Sequence, residues 1–160
     1  MWRRSHRRHT GVTPVIETGV ATALTAVAAA MRDARGPWWV IGSAAVALHG
    51  VVTDVADIDL LVGEEDAADL VSRLGLSAER LDPHPLFRSG IFARWPRLDR
   101  TVEIMGGFAI CEGGAWRPLV PVTRIALDGV YVPDREELMT ILSRFGRAKD
   151  IERRQLLAAL

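Results

Sequence analysis

Residues 38–62 read WWVIGSAAVALHGVVTDVADIDLLV. An apolar strand runs into Gly42-Ser43, a short helix follows, and a second strand carries Asp57 and Asp59 with one residue between them. Side chains two apart on a strand share a face, so both carboxylates project one way while Ile58 and Leu60 project the other. Two like charges held side by side repel, and folding gains nothing from pairing them. Something positive is expected between them, most simply a divalent cation held by oxygen ligands.

Gly42-Ser43 at a strand-to-helix turn has a physical use of its own. Glycine lets a phosphate approach the backbone, and the amides and dipole of the following helix attract anions. Ser43 can cap that helix or donate its hydroxyl to a phosphate oxygen. Farther along, Val102-Glu103-Ile104 sets one acid between two apolar residues. Glu103 is either a third ligand facing the aspartates or an exposed strand residue. Three carboxylates could hold Mg2+ (or Mn2+), which would neutralise a triphosphate, orient its α-phosphorus and acidify an attacking hydroxyl. Glu103 could also serve as the base for that hydroxyl.

The 160 residues suit one domain, and 49% hydrophobic content excludes a disordered chain. Lysine plus arginine balances aspartate plus glutamate at 20 each, so no global basic field draws the chain to nucleic acid. Cys111 is the only cysteine, which excludes an internal disulfide or thiolate zinc cluster and fits a reducing, cytoplasmic setting. Arg3, Arg4, Arg7 and Arg8 followed by an Ala-rich stretch have the look of a secretory signal. The helical spacing of Val20, Leu24, Val27 and Met31 instead favours an amphipathic helix behind a basic arm. No apolar run has the length of a confident membrane span.

The expected organisation is a flexible basic arm over residues 1–14 and one domain over 15–160. Helices are expected at 16–34, 43–49, 64–74, 135–145 and from past Gly146 to about 157. Strands are expected at 38–41, 57–62, 91–95 and 101–105, with hairpins within 108–132 and a wandering surface segment over 75–90.

Gly42-Ser43, then Asp57-x-Asp59, then a later acidic strand residue resembles the polymerase-β-like nucleotidyltransferase superfamily. GSAAVALHG followed by DIDLLV is most similar to small bacterial nucleotidyltransferase-domain proteins, related to lincosamide and aminoglycoside nucleotidyltransferases and to abortive-infection nucleotidyltransferase toxins. The tail GRAKDIERRQLL resembles a Gly-Arg-x-Lys-Asp segment near the end of many such proteins. The resemblance implies an α/β (α+β) nucleotidyltransferase fold, with a short mixed β-sheet and helices mainly on one side. It implies transfer of a nucleoside monophosphate from a nucleoside triphosphate to an acceptor hydroxyl of a small molecule or protein. Asp57, Asp59 and Glu103 would hold metal, and Gly42 and Ser43 the β- and γ-phosphates.

Arg147 and Lys149 could reach phosphate. The alternative is a nucleotide-binding regulatory module or toxin–antitoxin component with weak or no catalysis. A homodimer or such a toxin or antitoxin partner is compatible with either.

Thr53 and Val55 stand where many relatives carry Arg and Thr. The acceptor pocket is left to a second subunit or to residues 83–95, where His84 could line it. His49 reads as structural, Asp150 as a cap or a partner of Arg153 or Arg154, and Trp38, Trp39, Trp95 and Trp116 as core or interface.

Overall fold

A computed structural model describes residues 16–160, and the arm expected over 1–14 lies outside them. In chain order the elements are α1 (Thr18–Ala30), β1 (Trp39–Ile41), α2 (Gly42–Leu48), β2 (Asp57–Val62) and α3 (Glu64–Arg73). Then come β3 (Phe87–Arg88), β4 (Ile91–Trp95), β5 (Thr101–Gly106), β6 (Ala109–Glu112) and β7 (Ala115–Pro118). The chain ends with β8 (Ile125–Leu127), β9 (Val130–Val132), α4 (Arg135–Phe145) and α5 (Ala148–Ala158).

The first helix is shorter than its periodicity suggests. It ends at Ala30, and beyond it the Asp66 carboxylate accepts the Arg35 and Gly36 amides at 3.0 and 2.9 Å, fixing the bend that leads into Pro37. Elsewhere the local signals act as written. Asp134 accepts the Glu137 amide at 2.8 Å to cap α4, and Gly146 closes that helix at φ +69°. Asp128-Gly129, both at positive φ, turn β8 into β9 as a two-residue hairpin.

The main sheet has the order β1-β2-β5-β4 and is mixed: β2 and β5 run parallel, while β1 and β4 lie antiparallel at the edges. β2 and β5 share one burial pattern, with half-buried and buried residues alternating before both strands become fully buried. Ile58, Leu60, Val102 and Ile104 are wholly inaccessible and form one apolar cluster with Leu24 and Val27 of α1, Ala44 of α2 and Leu70 of α3. Each such side chain contributes about 1.5–3 kcal/mol of transfer free energy.

The opposite face divides in two. At one end Trp39, Ile41, Leu61, Phe92 and Met105 pack with Phe108, Ile110 and Phe145. A small sheet of order β3-β6-β7 lies beside them. At the other end stand Asp57, Asp59 and Glu103, half-buried rather than covered. The helices thus pack mainly on one side, and the acids occupy the uncovered part of the other.

Gly106 lets α3 close on β5, since a Cβ there would lie 2.5 Å from the Ala67 Cβ. Gly106→Ala is expected to destabilise the fold by about 1–3 kcal/mol through overpacking. Urea unfolding midpoints check this, and an unchanged midpoint would mean that α3 yields freely.

Candidate functional site

The register of the parallel pair decides which acids meet. Asp59 lies opposite Glu103, while Asp57 lies opposite Thr101. On its other side Asp59 pairs with Ile41, the last residue of β1. Gly42 therefore begins α2 against the Asp59 side chain. It stands at φ +66°, and a Cβ there would run into Asp59 Oδ2. Both the backbone angle and the close approach demand glycine at this turn.

Burial pushes the Asp59 carboxyl up to about 7, and the charge of Glu103 adds to the shift. Glu103 is also raised, first by burial and then by the Asp57 charge, with Arg94 opposing. The Asp59 and Glu103 carboxyls are close enough to share a hydrogen bond. Both shifts mark a place where negative charge is crowded and a positive species would be favoured.

Among the described residues, no three His, Cys, Asp or Glu side chains form a ready metal-holding group. Asp57 shares their face of the sheet, and its charge adds to the rise of both neighbours. The donors suit a hard divalent cation, being carboxylate oxygens on one face.

Ser43 is buried in the first turn of α2. Ile41 takes the cap position with no side-chain bond, so the capping role considered for Ser43 is not the one it has. Its hydroxyl has no hydrogen-bond partner among the described residues.

A cleft of about 960 Å³ opens from Asp59 and Glu103 toward Phe87, Phe108, Phe145 and Trp116. Arg147 lines it, but Gly42, Ser43, Asp57 and Lys149 do not. Arg147 precedes α5 and is fixed by Asp150, which accepts its Nε at 2.7 Å and a terminal nitrogen at 3.1 Å. Its guanidinium lies 5.0 Å over the Phe87 ring and acts on the Asp59 charge. Asp150 is buried and pairs with Arg147 rather than with Arg153 or Arg154. Lys149 is exposed, because the turn that buries Asp150 directs its neighbour outward. His49 is structural, with Nε2 2.9 Å from the Pro133 carbonyl.

Arg94 and its partner Glu79 were not singled out from sequence. Arg94 of β4 lies opposite Glu103, with Nε 3.9 Å from Oε1, and pairs with Glu79 of the preceding segment. Its alternation with Ala93, which puts it on the face of Phe92, was the available signal. Trp116, expected in core or interface, instead lines the cleft with the Arg88 guanidinium 4.6 Å over its ring. His84 does line the cleft, as considered, stacked on Phe87 at 5.0 Å.

No protein-family model and no curated protein matches the chain. Among solved structures, it is similar to a candidate nucleotidyltransferase of Thermotoga maritima, with 24% identity and a TM-score of 0.73 over 92% of this chain and 94% of that one. It is also similar to the antibiotic-resistance factor ANT(2'')-Ia, at 20% identity and TM-score 0.57, covering 90% of this chain and 85% of that chain. The lincomycin-bound lincosamide antibiotic adenylyltransferase LnuA matches at 13% identity and TM-score 0.56, over 91% and 98% of the two chains. At these identities the likeness establishes the fold, which is the nucleotidyltransferase fold.

The raised Asp59 carboxyl gives stability a definite pH slope. Between about pH 4 and 7 the unfolded chain has lost this proton and the folded chain keeps it, so the native state binds more protons and stability falls as pH rises. In chelator-treated protein, thermal midpoints are expected to drop across this window, and Asp59→Asn is expected to flatten the drop. Parallel profiles for the two proteins would show that Asp59 does not carry the slope.

Proposed function

We propose that the chain transfers a nucleoside monophosphate from a nucleoside triphosphate to an acceptor hydroxyl, releasing pyrophosphate. The observation that carries this reading is the opposed Asp59–Glu103 pair packed against the Gly42 turn. The fold it shares with nucleotidyltransferases supports it. Fold alone fixes no chemistry, so the assignment rests on the site.

In this reading Asp57, Asp59 and Glu103 hold Mg2+ or Mn2+, which supplies charge neutralisation at the triphosphate and at the incoming oxygen. The start of α2 receives the β- and γ-phosphates: Gly42 leaves room for them, and the Ser43 hydroxyl donates to a phosphate oxygen. Arg147, held by Asp150 beside Asp59, offers a guanidinium toward the same phosphates. Lys149 would join only from the exposed surface. The acceptor oxygen bonds to the α-phosphorus as the bridging bond to the β-phosphate breaks, and pyrophosphate leaves with that electron pair. The hydroxyl proton passes to a Glu103 carboxylate oxygen.

One observation favours the second reading, a nucleotide-binding regulatory module or toxin–antitoxin component with weak catalysis. Thr53, in the loop before the aspartates, stands where many relatives carry Arg, so that position offers no cation for phosphate. Nearby Val55 serves as scaffold, buried and with its carbonyl accepting Arg100 Nε at 2.7 Å. Among the described residues no helix is long and apolar enough to cross a membrane.

Calorimetric titration with Mg2+ and each nucleoside triphosphate, followed by pyrophosphate release over an acceptor panel, tests both readings. Asp57→Asn and Asp59→Asn are each expected to lower release by at least about 100-fold while the circular dichroism spectrum is kept. Nucleotide binding without release would favour the regulatory module, and no Mg2+-dependent binding would exclude both.

Ser43→Ala is expected to weaken triphosphate binding by about 3- to 10-fold, the loss of one hydrogen bond to a charged group. Unchanged affinity in the same titration would remove Ser43 from the phosphate site.

A further inference from the structure

The carboxylates have unlike surroundings on their two sides. Toward β1 lies the Gly42-Ser43 turn, and toward β4 lies the open cleft, which Glu103 lines and Ser43 does not. If phosphates take the α2 side, as the transfer reading requires, the cleft beyond Glu103 is left for the acceptor.

Its walls are flat and set in advance. His84 Nδ1 accepts the Leu86 and Phe87 amides at 3.0 and 3.3 Å, so the proton resides on Nε2 and the ring plane is fixed. The imidazole stacks on Phe87 at an interplanar angle of 16°, and Phe87 stacks on Phe108 at 5.7 Å. Trp116 adds a further indole, covered by Arg88.

The charges in this cleft are also sorted. Arg94 is taken by Glu79, and Arg147, held by Asp150, is given to the phosphates in the transfer reading. Away from the reacting carboxylates this leaves Arg80 and Arg88 against Asp82, with no ion pair among them. A polycation would meet one carboxylate and two guanidinium groups. A flat ring meets the exposed His84 imidazole at the end of this stack, and an anionic substituent meets Arg88.

We infer that this cleft receives the acceptor and selects a hydroxyl compound built on a flat ring that is neutral or anionic. The inference rests on the transfer reading for the word acceptor, but the preference for a flat ring over a polycation is a binding property measurable without nucleotide. Stacking on a wall already held by hydrogen bonds requires little reordering, which is where the selectivity originates.

The test uses the full chain and three probes: 6-hydroxy-2-naphthoate, 2-naphthol, and the glucosamine trimer, a non-planar polycation. Binding is read by Trp fluorescence and by saturation-transfer NMR. The naphthoate is expected to bind at least about tenfold more tightly than the glucosamine trimer, with 2-naphthol between them. Arg88→Glu should remove the advantage of naphthoate over naphthol. Trp116→Leu should weaken both naphthols, while Trp116→Phe should restore most of the loss. Tighter binding of the glucosamine trimer in wild type, or an unchanged order in Arg88→Glu, would overturn the inference.

Displacement of bound naphthoate by ATP with Mg2+ would assign the wall to the nucleobase and overturn the acceptor assignment. Pyrophosphate release with the glucosamine trimer but no naphthol binding would leave transfer standing and sink this inference. Naphthol binding with no release from any probe would leave the ring site standing and count against transfer.

Discussion

The register between β2 and β5 is the constraint on which the site depends. Like charges placed directly opposite one another destabilise a sheet, yet Asp59 faces Glu103. The flanking pairs, Ile58 with Val102 and Leu60 with Ile104, are wholly buried on the other face and hold the strands in place. A slip of one residue would drive these apolar side chains toward water and the acids into the core. The core thus fixes the electrostatics of the opposite face, where burial and mutual repulsion raise both acids above the usual carboxylate range.

Much of this was written in local pattern. DIDLLV and TVEIMG alternate with period two, and that alternation alone gives the two faces of the central strands. Asp134 and Gly146 mark the ends of α4 by elementary capping chemistry. Gly42 before a helix suggests a tight turn, although its contact with Asp59 needs the β1–β2 pairing to be known. The β6–β7 hairpin falls within the expected 108–132, but the short strand β3 that joins it was hidden, because Phe87-Arg88 has no period of its own and its partner β6 lies far along the chain.

The site was legible at its acidic centre and obscure at its walls. Two carboxylates in one short strand carry a signal that needs no tertiary information. The Arg88–Trp116 and Arg94–Glu79 contacts join residues far apart in sequence, and each residue alone reads as ordinary surface or core. Lys149 and Arg147 are near neighbours in the tail motif with unlike fates. The difference is Asp150, whose burial within the first turn of α5 draws Arg147 inward and leaves Lys149 outward.

The connectivity of the main sheet carries a kinetic consequence. β1 and β2 are close in sequence, as are β4 and β5, so each antiparallel pair can assemble from nearby chain. The parallel seam between them joins segments separated by α3 and the stretch through β3, and such distant contacts form slowly. That closing step is also the moment when the two opposed acids first meet. The speed of that closing step should therefore depend on how far these acids are ionised, since their repulsion must be overcome as the strands come together.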